Sequence, residues 1–182
     1  MNRMQITPLV RNPFILAAAL VGAVGLFQLA TPSANLQGAT TEAPKPAPAW
    51  ELKDVEGKAI KSTSYLGKVV LLDFWATWCP PCREEIPSFI ALQKKYEKQG
   101  LVVIGVSMDQ EGPSIVKPFI KKNGINYPVV MGNDKLADAY GGIEGIPTTF
   151  VIDRQGRIVA KHVGLTEKAM FEKAIQPLLK AQ

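Results

Sequence analysis

The chain has 182 residues, 47% of them hydrophobic and 20% charged, an ordinary composition for a globular protein. Its formal charge of +5 comes from scattered basic residues that cluster no further than pairs such as Lys94-Lys95 and Lys121-Lys122. That pattern gives no electrostatic footprint for nucleic acid, and none is expected as a partner.

Arg3 and Arg11 precede an uncharged run, Phe14 to Ala30, rich in Ala, Leu, Val and Gly. A basic flank followed by an apolar run reads as a signal peptide or a signal-anchor within residues 1–30, with its N-terminus in the cytoplasm. Its 17 residues reach the lower edge of a bilayer span, which takes about 17–25. The small-x-small site Thr31-Pro32-Ser33 carries proline in the middle. Both points favour a retained anchor over a cleaved, secreted form and place the rest of the chain in the periplasm or on the outer face of the cytoplasmic membrane. Residues 31–49 hold Pro32, Pro44, Pro46 and Pro48 among Ala, Thr and Ser. Such a tract prefers extended, semi-rigid conformations, so it reads as a linker.

Residues 50–182 read as the folded domain, with 18 basic against 15 acidic residues over a length suited to one core. Trp50 to Val55 and Lys58 to Lys61, separated at Gly57, predict a short hairpin. Val69 to Trp75 is an apolar strand, followed by a helix to about Gln99 that Gly100 ends. Leu101 to Ser107 is continuously apolar, as in strands covered on both faces. Gly112-Pro113 opens a helix to Lys122; Tyr127 to Met131 is a short strand and Asp134 to Tyr140 a short helix. Thr148 to Asp153 and Arg157 to Val163 form a hairpin around Gln155-Gly156, and a last helix runs from Thr166, its N-cap, to Lys180. Strands alternating with helices imply an α/β sandwich with a mostly parallel central sheet.

The chain's only cysteines, Cys79 and Cys82, sit where the strand 69–75 gives way to the helix. A thiol pair at that junction is built for dithiol/disulfide exchange. Two unrelated core cysteines would have to fall on one turn by chance. Zinc would need four ligands, and only His162 could join the thiolates, so no metal is expected.

The run Asp73-Phe74-Trp75-Ala76-x-Trp78-Cys79-x-x-Cys82, with Ile146-Pro147-Thr148-Thr149-Phe150 further on, resembles the two halves of a thioredoxin active site. The fuller chain, about residues 50–180, resembles the TlpA/ResA-like thioredoxins, membrane-tethered thiol-disulfide oxidoreductases, in its N-terminal hairpin and in Cys-Pro-Pro-Cys followed by Arg-Glu-Glu. The resemblance implies an α/β thioredoxin fold: a central mixed β-sheet flanked by helices, with the N-terminal β-hairpin and a helix-strand unit inserted at about 113–131. It also implies that Cys79 is catalytic, that Cys82 resolves, that the bond before Pro147 is cis, and that no cofactor is needed.

At a helix N-terminus Cys79 gains thiolate stabilisation and attacks a client disulfide; Cys82 then resolves the mixed disulfide. Pro80 and Pro81 remove two N–H donors, which disfavours the reduced form's thiolate and makes the pair more reducing. In thioredoxins the residue matching Asp73 moves the proton of the resolving cysteine; a structural carboxylate is the alternative, and many TlpA/ResA-like members carry Asn there. Glu85 matches a glutamate tied to active-site acidity in the ResA-like proteins, or it complements the helix dipole from a first turn, as Glu84 would. Asp109 and Glu111 match no family position convincingly. Pro147 is expected against the cysteines, with Ile146 offering backbone groups to an extended substrate. Trp78 is expected to shield the pair and to present a flat apolar contact with Pro80 and Pro81, while Trp75 belongs to the core. Pro87 should bend the helix, and His162 has no assignment.

The partners implied are client protein disulfides, a membrane thiol electron donor and the membrane itself. Relatives reduce the Cys-x-x-Cys-His of apocytochromes c. The competing readings are a peroxiredoxin-like peroxidase, whose Pro-x-x-x-Thr-x-x-Cys setting is absent here, and a redox-inert tethered binding module.

Overall fold

The computed structural model describes residues 44–181. The apolar segment 14–30 and most of the 31–49 tract lie outside the described residues. Among the described residues no helix is long and apolar enough to cross a membrane.

The strands are β1 (Lys45–Pro46), β2 (Glu51–Lys53), β3 (Ala59–Lys61), β4 (Val69–Trp75), β5 (Leu101–Ser107), β6 (Val129–Met131), β7 (Thr148–Ile152) and β8 (Arg157–Val163). The helices are α1 (Pro80–Tyr96), α2 (Pro113–Asn123), α3 (Asp134–Ala139) and α4 (Lys168–Lys180). Six strands form one sheet in the order β1-β8-β7-β4-β5-β6, and β2 and β3 pair separately as the expected hairpin.

The sheet is mixed, which corrects the mostly parallel arrangement that the strand-helix alternation suggests. Only the β4–β5 and β5–β6 pairings are parallel. The tight β7–β8 connection forces those two strands antiparallel, and β7 also pairs antiparallel with β4. Lys45 and Pro46, inside the tract read as linker, pair with Ile158 and Arg157 at the sheet edge, and the Tyr140 hydroxyl donates to the Pro48 carbonyl. The described end of that tract therefore lies on the domain.

Every residue of β4 is buried because both faces of the sheet are covered. Val69, Leu71 and Trp75 face Phe89 and Leu92 of α1, Val116 of α2, and Phe171 and Ile175 of α4. Val70, Leu72 and Phe74 face Leu136 of α3, Tyr140 and Leu52 of the hairpin. Each such side chain contributes about 1.5–3 kcal/mol when fully buried, and the central position of β4 fixes where its C-terminal end delivers the cysteines.

Gly100, with φ 95°, ends the helical stretch after α1 as the sequence predicts. The start of α4 differs. Its N-cap is Glu167, with no side-chain cap bond; the Thr166 hydroxyl instead donates to the Gly164 carbonyl. The backbone N–H of Thr166 has another partner, described below. Arg154 ties three chain ends together by donating to the carbonyls of Gly67, Gln99 and Leu179.

Candidate active site

After β4 the chain leaves the sheet, and a set of hydrogen bonds shapes its path to α1. The Trp75 carbonyl accepts from the Met108 N–H at 2.8 Å, and the Ala76 carbonyl from the Cys79 N–H at 3.2 Å. Between them, Asp109 receives the Thr77 N–H on both carboxylate oxygens and the Thr77 hydroxyl at 2.6 Å. The Ser107 hydroxyl donates to the same carboxylate at 2.8 Å. Asp109 is thus a buried bracket for the active-site loop.

Cys79 is the N-cap of α1, and its sulfur accepts the N–H of Cys82 at 3.3 Å. Pro80 and Pro81 open the helix and have no N–H to give. The two sulfurs are joined in a disulfide, with Cα atoms 5.3 Å apart. Cys79 is 3% and Cys82 1% exposed. The pair lies just under the surface, with Cys79 flanked by the exposed Trp78 and Pro80. Trp78 is 62% exposed, which suits a contact surface. Trp75 is buried in the core against Phe119.

The Ile146–Pro147 peptide is cis. The Ile146 carbonyl oxygen lies 3.6 Å from Cys79 Sγ; a disulfide sulfur has no proton to donate, so this is a van der Waals contact. The loop is pinned from both sides: Thr148 Oγ1 donates to the Gly145 carbonyl at 2.7 Å, and the Gly164 N–H to the Pro147 carbonyl at 2.8 Å. Pro147 is buried, while Ile146 is half-buried.

Two carboxyl groups are buried near one another. Asp73 is buried on the α1 side of β4, and its Oδ1 accepts the Thr149 hydroxyl at 3.1 Å. Burial pushes its pKa well above the usual carboxylate range; the neighbouring Glu85 pushes in the same direction, and the Thr149 bond opposes both. Glu85 is only 1% exposed. Its Oε1 accepts the Thr166 N–H, and its Oε2 is buried without a partner. Burial raises its pKa to about 7, against the lowering effect of the Thr166 bond. The first turn of α1 contains no acidic residue, which corrects the reading of Glu85 and Glu84 as first-turn dipole partners. Glu84 is exposed, whereas Glu85 turns inward. Tyr127 completes the buried group, its pKa raised well above 10.0 by burial and then by Asp73 and Glu85.

The structure joins Cys79 to Cys82, sets the Ile146–Pro147 loop against Cys79 Sγ, and couples Asp73 with Glu85. Sequence reasoning missed Thr77, Asp109, Tyr127 and Thr149. A polar pair after the cis-proline loop, in a strand otherwise apolar, was the available signal for Thr149. Among the described residues no group of three or more His, Cys, Asp or Glu side chains is placed to hold a metal ion.

Residues 43–161 match the AhpC/TSA family. The chain is 37% identical over 126 residues to the thiol-disulfide oxidoreductase ResA of Bacillus subtilis, covering 69% of each chain. It is 35% identical over 128 residues to that of Bacillus anthracis, covering 70% of this chain and 73% of the relative. The chain belongs to the AhpC/TSA family and, within it, to the ResA-like thiol-disulfide oxidoreductases.

Solved structures agree. A thiol:disulfide interchange protein of the thioredoxin family from Chlorobium tepidum superposes with a TM-score of 0.69 at 40% identity, over 75% of this chain and 97% of that one. A secreted thiol-disulfide isomerase from Corynebacterium glutamicum gives a TM-score of 0.72 at 25% identity, over 84% and 97%. The fold of this ResA-like oxidoreductase is therefore a thioredoxin fold, and its chemistry is thiol-disulfide exchange.

Proposed function

We propose that this oxidoreductase works as a reductant of protein disulfides outside the cytoplasm. The observation that carries the direction is the single helical N–H, that of Cys82, offered to Cys79 Sγ, with prolines at the two preceding positions. A helix start usually offers more donors to an anion. With fewer, the thiolate of the reduced form is less favoured and the pair gives up its electrons more readily.

In this cycle the Cys79 thiolate attacks a client disulfide, a mixed disulfide forms, and Cys82 displaces the reduced client. Asp73 takes the Cys82 proton as a buried general base, and Glu85 sets the local acidity. An extended client segment lies along Ile146 and Pro147, with Trp78, Pro80 and Pro81 as its apolar contacts. Residues 14–30 anchor the domain on the outer face of the cytoplasmic membrane, and a membrane thiol carrier re-reduces it. Apocytochrome c, with a Cys-x-x-Cys-His pair, is the client class that the family resemblance suggests.

The test is mixed-disulfide trapping in cells with Cys82→Ser, using Cys79→Ser as control. Capture of extracytoplasmic proteins on Cys79 supports the reading. Capture only of cytoplasmic proteins, or equal capture by the control, refutes it.

A further inference from the structure

Three buried side-chain polar atoms have no hydrogen-bond partner among the described residues: Trp75 Nε1, Glu85 Oε2 and His162 Nε2. All three lie in the layer between the sheet and helices α1, α2 and α4. Buried orphans are rare enough in folded proteins to need an explanation.

The sheet register supplies one for His162. Asp73 of β4 pairs with Thr149 of β7, and Thr149 pairs with His162 of β8. Directly paired residues project to the same face, so Asp73, Thr149 and His162 form a row across three strands. The first link is made, with Thr149 Oγ1 donating to Asp73 Oδ1 at 3.1 Å. At the far end the His162 ring packs edge-on against Phe171, at 5.2 Å between centroids. Its Nε2 is sealed inside, while the half-buried ring leaves Nδ1 in contact with solvent. Nε2 has no direct partner in this structure; facing Cβ atoms of an antiparallel pair lie about 5 Å apart, close enough for one water to join the hydroxyl and the ring nitrogen.

We propose that His162 is the outer end of a proton relay, through Thr149, that connects the buried Asp73 with solvent. The proposal rests on the reading of Asp73 as the base for Cys82. During resolution the Cys82 thiol gives its proton to Asp73. The Cys82 sulfur then attacks Cys79, and the electron pair of the breaking bond leaves on the client sulfur. Asp73 passes a proton to Thr149 Oγ1 as the Thr149 hydroxyl proton moves to His162 Nε2, and the imidazolium releases its Nδ1 proton to solvent. When a dithiol donor reduces the Cys79–Cys82 bond, Cys82 leaves as a thiolate. The relay then runs backward: His162 Nδ1 takes a proton from solvent, the Nε2 proton returns through Thr149 to Asp73, and Asp73 passes it to Cys82, which restores the starting tautomer.

Burial lowers the His162 pKa, which keeps the ring neutral and Nε2 able to accept. The titratable groups around this row are Asp73 from β4, Glu85 from α1 and Tyr127 from the loop before β6; α4 presents the uncharged ring of Phe171.

The experiment is single-turnover resolution of a preformed mixed disulfide on Cys79, followed from pH 5 to 9 in H2O and D2O. His162→Phe preserves packing on Phe171, and Thr149→Val breaks the relay without touching that contact. Each is expected to slow resolution about tenfold, less than the 10²–10⁴ of a directly acting base. Each should also change the pH profile and the solvent isotope effect, and added imidazole should partly rescue His162→Phe. Wild-type rates and profiles in both variants, with Asp73→Asn slow, overturn the relay alone. A wild-type rate in Asp73→Asn overturns the base reading and the relay with it.

Discussion

Asp109 grips Thr77 by both its backbone N–H and its hydroxyl, across 32 residues of sequence. This bond set, with the Met108–Trp75 link beside it, positions the loop that presents Cys79. Asp109→Ala leaves the Thr77 N–H and two hydroxyls without their acceptor, a cost of about 2–3 kcal/mol. Asp109→Asn keeps one acceptor oxygen and should lose roughly half as much. Urea denaturation of the oxidised forms checks both, and Asp109→Ala should also reduce insulin more slowly than wild type.

Glu85 makes stability depend on pH in the sense opposite to a salt-bridged carboxylate. Its folded pKa is about 7 against an ordinary 4.5, so the folded state holds a proton that the unfolded state has lost. The folded protein is then favoured most below pH 4.5 and loses stability as pH rises toward 7, by roughly 3 kcal/mol at most. Glu85→Gln can still accept the Thr166 N–H and removes the buried charge. It should be more stable than wild type at pH 8, and the difference should fall away at pH 4.5; denaturant midpoints at the two pH values measure it.

Gly105 is required for space rather than for backbone freedom. A Cβ there would stand 2.8 Å from Trp75 Nε1 and 3.4 Å from the Tyr127 ring. Trp75 is held by Phe119 and cannot retreat cheaply. Gly105→Ala should destabilise by about 1–3 kcal/mol, the usual cost of overpacking. Thermal unfolding reads the loss directly.

Pro80→Ala and Pro81→Ala each return an N–H to the start of α1. Either should favour the Cys79 thiolate and make the pair more oxidising, by tens of millivolts, since 30 mV corresponds to about 1.4 kcal/mol for two electrons. Equilibration with glutathione measures it; an unchanged or more reducing variant would count against the donor argument.

Much of this site could be read in the sequence because its signals are local. The cysteines, the prolines between them and Asp73 lie within one strand-to-helix passage, where alternation and helix-start rules apply. Asp109, Thr149 and His162 escaped for the opposite reason. Thr149 and His162 act through register with strands distant in sequence, and Asp109 through a bond to a loop 32 residues away; nothing in a single chain reports which residues face one another. Glu85 was seen but its alternative roles stayed open, since only packing distinguishes an inward glutamate from a solvated one. Thr166 carried a good N-cap signal, yet the tertiary bond from its N–H to Glu85 accompanies a helix that begins two residues later. The mostly parallel sheet failed because strand-helix alternation does not reveal that β7 runs against β4.

The redox potential of the Cys79–Cys82 pair tests the central claim most directly. Equilibrated against glutathione or a thioredoxin couple, it should fall at or below thioredoxin's, about −270 mV. A value near that of DsbA, about −120 mV, would contradict the account of this protein as a reductant.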